Sequence, residues 1–297
     1  MAKYKYTFSG HESFYCRSLW LKKGYEFVKS GKNFAEDSAV VSLGVGKNMV
    51  SSIRFWMKAF GILEDEKLTD IATFIFNDED GRDPYLEDVG TAWLLHYQLL
   101  SKEIASLYGL CFRCFIRERN GEFSKEQFQS FIKRKCDETG NNLQYNENTV
   151  RRDIGVLLQN YVSPTHSTNN EDYSAIFLPL NLIKQAEGKT YYFNYTTKSP
   201  IPQEIFYYFL LDSAKDTKAV SFDALMDLAL PLCMTKNELV DKLISLTKTH
   251  PTEIQYSDNS GIRQLLILRE STKWMSSTIT TQSYDIQPIH KYQDNKI

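Results

Sequence analysis

Residues 43–63 read Leu-Gly-Val-Gly-Lys-Asn-Met-Val-Ser-Ser-Ile-Arg-Phe-Trp-Met-Lys-Ala-Phe-Gly-Ile-Leu. Glycines near both ends are typical of a helix that is entered and left through tight turns. At about 100° per residue, such a helix has an apolar stripe and a polar stripe. The apolar stripe consists of Val50, Ile53, Met57 and Phe60. The polar stripe consists of Lys47, Ser51, Arg54 and Lys58. The segment therefore predicts an amphipathic helix with a cationic outer face.

This helix has two interpretations. Outward Lys, Ser and Arg side chains are of the types that contact DNA phosphates and groove edges. Surface helices also carry Lys and Arg for solvation alone, so the neighbouring segments supply the context. An amphipathic segment at 14–28 and a short apolar segment at 38–43 precede the helix, and residues 62–69 resemble the start of a wing. Helix, short helix, turn, longer helix and hairpin is the order of a winged helix-turn-helix.

The charge distribution favours the DNA interpretation. The net charge of the chain is only −2, but residues 1–58 hold ten Lys and Arg against four Asp and Glu. Residues 59–103 hold three against eleven, and the remainder of the chain is nearly balanced. Such asymmetry is expected of a protein that meets a polyanion with one part of its surface.

Composition predicts a cytoplasmic protein without membrane contact. At 297 residues the chain exceeds one typical domain, no apolar run approaches the length of a membrane span, and the beginning lacks a signal-peptide pattern. Five cysteines suit a reducing compartment. Cys111 and Cys114 form a C-x-x-C, but no second pair stands at ligand spacing, so we predict core thiols rather than a zinc or redox site.

The predicted fold is mainly α, with winged helix-turn-helix-like units at both ends, a helical middle and short β-hairpins. The predicted units are a basic winged-helix-like domain at 1–80, a helical middle domain with a helix-turn-helix-like pair at 81–163, a winged-helix-like domain at 173–271 and a polar tail at 272–297. The polar, aperiodic stretch at 164–172 is the predicted linker.

Local signals define several elements of the middle and C-terminal units. Ser124 with Gln127, and Thr235 with Glu238, have the spacing of helix capping boxes. Residues 253–268 place Asp-Asn-Ser-Gly between apolar flanks, which predicts a β-hairpin. The C-terminal unit is nearly neutral, and a neutral winged helix is expected to pack against protein more than against DNA.

Two short segments carry candidate catalytic residues. His11 and Glu12 lie side by side in a predicted turn, and Asp83 and Asp88 precede an apolar helix. Imidazole and carboxylate groups can act as acids or bases, or can bind a divalent ion used in phosphodiester cleavage. The alternative is structural, with His11 bonded within its turn and Asp88 capping the helix. The stretch from Gly44 to Lys47 is too short for a Walker A loop, and no nuclease signature is complete.

Several separated motifs, taken in order, resemble those of SspB-like proteins. They are Phe8-Ser-Gly-His-Glu-Ser-Phe14, Trp20-Leu-Lys-Lys-Gly24, Leu43-Gly-Val-Gly-Lys-Asn-Met-Val50, Asp83-Pro-Tyr-Leu-Glu-Asp88, Trp93-Leu-Leu-His96 and Thr149-Val-Arg-Arg-Asp153. The resemblance covers about residues 7–163 and continues more weakly to about residue 270.

The resemblance implies a role in bacterial DNA phosphorothioation, in which sulfur replaces a non-bridging phosphate oxygen as an epigenetic and defence mark. It implies three partner proteins besides DNA: a cysteine desulfurase, an ATPase and an ATP-pyrophosphatase-like sulfur-transfer enzyme. The SspB-like member is described as a DNA-nicking subunit, and nicking would require Mg²⁺ or Mn²⁺ as cofactor.

The resulting hypothesis is a DNA-binding component of a phosphorothioation or related defence system, with nicking of one strand as an open extension. The predicted DNA contacts are Arg17, Lys22, Lys23, Lys47, Asn48, Ser51, Arg54, Lys58, Arg151 and Arg152. The catalytic candidates are His11, Glu12, Asp83 and Asp88. One alternative is a non-enzymatic regulator or adaptor that recruits partner subunits, and another is a helical scaffold without DNA contact.

Overall fold

Helices make up most of the chain in the computed structural model, which describes residues 5–164, 174–214, 217–259 and 262–268. The N-terminal elements are α1 (Ser18–Lys29), α2 (Ala39–Leu43), α3 (Lys47–Ala59), β1 (Leu63–Glu64), β2 (Lys67–Leu68) and α4 (Asp70–Phe76). Their order is the one predicted from the sequence. Gly44 ends α2 with φ 65°, a conformation that glycine adopts without strain, and so turns the chain into α3.

The middle of the chain is mostly helical. Its helices are α5 (Val89–Lys102), α6 (Ser106–Gly109), a π-helical segment (Leu110–Phe115), α7 (Ile116–Glu118), α8 (Lys125–Thr139) and α9 (Glu147–Tyr161). The capping box of Ser124 and Gln127 is confirmed, because each side chain bonds the backbone N–H of the other residue. The two C-x-x-C cysteines are free thiols in the π-helical segment, and burial raises the pKa of both.

The C-terminal elements form two small antiparallel sheets beside three helices. They are β3 (Ile183–Gln185), β4 (Tyr191–Phe193), α10 (Gln203–Ala214), β5 (Ala219–Ser221), α11 (Phe222–Ala229), α12 (Lys236–Thr249), β6 (Ile254–Asn259) and β7 (Ile262–Ile267). The second sheet has the order β5-β7-β6. The predicted hairpin and the capping box of Thr235 and Glu238 are both confirmed.

A continuous apolar core joins these parts, with buried side chains from Cys16 to Leu265. His96 of α5 is fully buried inside it and accepts a hydrogen bond at Nδ1 from the Tyr161 hydroxyl, at 2.7 Å. Its Nε2 lies 3.1 Å from the Pro231 carbonyl oxygen and therefore donates. Burial lowers the pKa of His96 to about 4, so the imidazole is neutral at pH 7. This network connects α5, α9 and the segment that leads to α12.

Most of the predicted linker and the whole predicted tail, 272–297, lie outside the described residues. The predicted domain boundaries stay predictions. Among the helices that the structure describes, none has the length and apolar character needed to cross a bilayer.

Candidate nucleic-acid interface

Helix α3 presents the predicted cationic stripe to solvent. Lys47, Asn48, Ser51 and Arg54 are exposed and Lys58 is half-buried. The opposite face carries Ile53, Trp56 and Met57, which are fully buried. The apolar side of α3 thus packs into the core, and the polar side faces solvent.

The N-terminus of α3 is also suited to an anion. Gly46 occupies the N-cap position and supplies no side chain to bond the first free N–H groups of the helix. The first turn carries no acidic residue and begins with Lys47 and Asn48. The positive end of the helix dipole therefore lies beside a lysine, an arrangement that favours a phosphate.

Part of the cationic stripe is already paired within the protein. The turn between β1 and β2 brings Glu66 against α3, where Arg54 donates to its two oxygens from Nε at 3.1 Å and Nη2 at 2.7 Å. Lys58 forms a second ion pair with the same carboxylate. The hydrogen bond from Arg54, followed by that from Lys58, lowers the pKa of Glu66 to about 2. The acidic segment that follows α3 in sequence thus supplies one carboxylate that pairs with two of its cations and offsets one of their two positive charges.

The cations of α1 differ in their availability. Lys22 is largely covered, bonding the Phe76 carbonyl oxygen at 3.2 Å and contacting Asp78 at 3.3 Å. Lys23 is exposed. Arg17 precedes the helix and lies over the ring of Trp20, at 5.5 Å from its centroid.

A buried contact between His11 and Asp153 connects the loop at residues 8–14 to helix α9. His11 Nε2 lies 3.4 Å from Asp153 Oδ1, and both side chains are almost fully buried. The other oxygen of Asp153 accepts from the backbone N–H of Ser9 at 2.6 Å. His11 also stacks on Trp56 of α3, with ring centroids 5.7 Å apart. The loop therefore ties α3 to α9.

Helix α9 carries the remaining predicted DNA contacts next to Asp153. Arg151 and Arg152 are both exposed, and Arg151 pairs with Glu147 at 3.1 Å. Since Asp153 points inward, the two arginines lie on the solvent side of the helix. The contact between His11 and Asp153 thus positions a helix with two exposed arginines relative to α3.

The catalytic candidates occupy two separate places. Glu12 is exposed, whereas His11 is buried with Asp153. Asp83 is buried and accepts backbone N–H bonds from Glu87 and Asp88, at 2.8 and 3.0 Å. Asp88 caps α5 by accepting from the Gly90 N–H at 2.6 Å, as its structural interpretation predicted.

Sequence reasoning missed Asp153 as a partner of His11. The sequence does contain an indication of this contact. Asp153 falls on the apolar stripe of α9, together with Val150, Ile154 and Leu157. A carboxylate in such a position requires a buried partner.

The metal prediction rests on the same four residues. Throughout the part of the chain that the structure describes, no three His, Cys, Asp or Glu side chains are grouped closely enough to hold a metal ion. The oxygens of Asp83 are engaged by backbone N–H groups, so the residues as placed do not form a Mg²⁺ site. Their catalytic role stays a prediction.

Comparison with known proteins places the chain in a family. The family described as protein of unknown function DUF4007 matches residues 8–284. A crystal structure of SspB is 29% identical with a TM-score of 0.76, and a magnesium-bound crystal structure of SspB is 26% identical with a TM-score of 0.75. Both alignments cover 88% of this chain and 83% of the SspB chain. A search of curated proteins found no match. The chain therefore belongs to the DUF4007 family and is an SspB-like protein.

Proposed function

We propose that this protein is the DNA-binding component of a bacterial DNA phosphorothioation or related defence system. The similarity to SspB supports the pathway. The exposed stripe of Lys47, Asn48, Ser51 and Arg54 on a helix with a buried opposite face carries the DNA-binding part. Cysteine desulfurase, ATPase and sulfur-transfer enzymes are the proposed partner subunits.

In this proposal the N-terminal unit binds duplex as a winged helix-turn-helix. Helices α2 and α3, joined at Gly44, form the helix-turn-helix, and the β1–β2 hairpin is a short wing. The beginning of α3 would then enter the groove, since the N-terminal residues of a recognition helix contact base edges. Lys47 at the start of the helix, and Arg54 and Lys58 further along it, would contact phosphates.

The basic face of α9 extends the proposed footprint. Arg151 and Arg152 are exposed on a helix that the buried pair of His11 and Asp153 fixes to α3. Phosphate contacts from two helices locate a duplex more precisely than contacts from one.

Duplex binding by charge-reversed variants tests the proposal. We expect Lys47→Glu combined with Arg54→Glu to lower affinity for a labelled 30-base-pair duplex at least tenfold, because two attractive contacts become repulsive. Lys189→Glu combined with Lys248→Glu is the matched control, since both lysines are exposed and lie in the C-terminal part. Equal affinities of the two double variants would refute the assignment of α3.

Nicking of one strand is a second candidate, favoured by the magnesium-bound form of the relative SspB. It predicts relaxation of supercoiled plasmid with Mg²⁺ or Mn²⁺, and loss of that activity in Glu12→Ala, the exposed catalytic candidate, with duplex binding retained. Intact supercoiling under both metals would contradict it.

A non-enzymatic adaptor is the alternative, favoured by the C-terminal unit. Its element order from α10 to β7, with sheet order β5-β7-β6, resembles that of a winged helix and supports this interpretation. The exposed side chains of α12 include Asn237, Asp241, Ile244 and Lys248, a mixed face that suits protein more than DNA. The adaptor predicts that Ile244→Asp abolishes co-purification with the partner subunits while duplex affinity is unchanged.

A further inference from the structure

The carboxylate of Glu66 is held by two cations of the outward face of α3. The guanidinium of Arg54 donates to both oxygens, and Lys58 contacts one of them. A guanidinium binds phosphate oxygens in the same bidentate way. The group that Arg54 and Lys58 hold is therefore an anion with the oxygen spacing and charge sign of a backbone phosphate.

Glu66 occupies a backbone position that does not favour glutamate. Asp65 and Glu66 form the two-residue turn of the hairpin, with φ values of 47° and 60°. Turns with two positive φ values favour Asn-Gly, and a long side chain there is strained. The backbone conformation therefore does not account for a glutamate at this position, whereas its carboxylate contacts Arg54 and Lys58.

The three charged groups are accessible to a ligand. The side chains of Arg54, Lys58 and Glu66 are 44%, 32% and 34% exposed. Ion pairs at such exposure contribute little net stability, because water competes for both partners. A second anion can therefore replace the carboxylate without unfolding the hairpin.

We propose that Arg54 and Lys58 form a clamp for one phosphate of the DNA backbone, and that Glu66 occupies this clamp until DNA displaces it. The inference rests on the proposed DNA-binding function and deepens it by naming the bound group and an intramolecular competitor. In the free protein Glu66 offsets one of the two positive charges of the clamp. Only a ligand that also gains contacts elsewhere on α3 displaces Glu66 effectively.

Neutralising Glu66 tests the competition directly. We expect Glu66→Gln to bind a 30-base-pair duplex about three- to tenfold more tightly than wild type, the scale of one charge pair at a binding surface. The slope of log affinity against log salt should stay nearly unchanged, because Arg54 and Lys58 contact the same phosphate in both complexes and only the competing carboxylate is removed. Combining it with Arg54→Gln should remove most of the gain, because the clamp is then incomplete.

Glu64→Gln is the matched control. Glu64 lies on the same hairpin, is 66% exposed and pairs with Lys102 at 3.4 Å, away from α3. It removes the same charge, so it measures the general effect of charge on duplex affinity. Thermal melting of each variant checks that the hairpin mutation leaves the protein folded.

The outcomes separate the clamp from the DNA-binding function itself. Tighter binding by Glu66→Gln than by Glu64→Gln supports the clamp. Equal binding by the two variants, or weaker binding by Glu66→Gln than by wild type, overturns the clamp while leaving DNA binding by α3 standing. Absence of duplex binding by wild type and by Glu66→Gln refutes both the clamp and DNA binding by α3.

Discussion

His11 Nε2 lies 3.4 Å from Asp153 Oδ1, although 142 positions separate the two residues in sequence. The pair is buried, and Asp153 also accepts the backbone N–H of Ser9. Because His11 stacks on Trp56, one imidazole connects the N-terminal loop to both α3 and α9. The relative position of α3 and α9 therefore depends on this contact.

Removing the carboxylate of Asp153 should destabilise the protein. We expect Asp153→Ala to lower the free energy of unfolding by about 2–4 kcal/mol, because His11 and the Ser9 N–H lose their buried acceptor. Urea denaturation measures the change. The exposed Asp241 is the control, and Asp241→Ala should cost under about 0.5 kcal/mol. Equal midpoints for the two variants would show that the pair is not structural.

The close approach of Gly10 to α3 gives a second prediction. A Cβ atom on Gly10 would lie 2.7 Å from the ring of Phe55, and its φ is 103°. Gly31 has a φ of 78° but open space around it. Gly31→Ala should therefore cost about 1 kcal/mol of unfolding free energy from backbone strain alone, and Gly10→Ala should cost clearly more. Identical losses in urea denaturation would mean that packing against Phe55 contributes nothing.

Burial of His96 predicts a pH dependence of stability. Its folded pKa of about 4 lies below the ordinary value of 6.5, so the unfolded chain binds more protons between these pH values. The neutral His96 therefore contributes about 3 kcal/mol to the free energy of unfolding above pH 6.5, and this contribution is lost as the pH falls towards 4. Urea unfolding between pH 7 and 4.5 should show a shallower decline for His96→Gln than for wild type. Parallel stability curves for wild type and His96→Gln would show that protonation of His96 does not cause the decline.

Local features of the fold could be predicted from the sequence. The periodicity of α3 and the capping boxes at Ser124 and Thr235 depend on residues within four positions of each other, and the structure confirms them. Strands β3 and β4, each three residues long, were not predicted. Such short strands leave too few residues for an alternating pattern to be recognised.

The candidate site could be predicted less completely, because its contacts are made in three dimensions. In the sequence, the basic residues of α3 and the acidic residues that follow lie in separate segments. The β1–β2 hairpin folds back, however, and brings Glu66 onto Arg54. The contact between His11 and Asp153 likewise requires the tertiary fold, although an inward carboxylate on α9 indicated that some partner must exist.

The salt dependence of duplex affinity tests the central claim most directly. Affinity of the full chain for a labelled duplex should be measured at four or more salt concentrations, for wild type and for Lys47→Glu combined with Arg54→Glu. If α3 contacts the DNA backbone, wild-type affinity falls steeply with salt, and the slope of the double variant is smaller by about 1.8, or 0.9 for each lost phosphate contact. Equal slopes and equal affinities would contradict the claim that α3 is the DNA-binding helix.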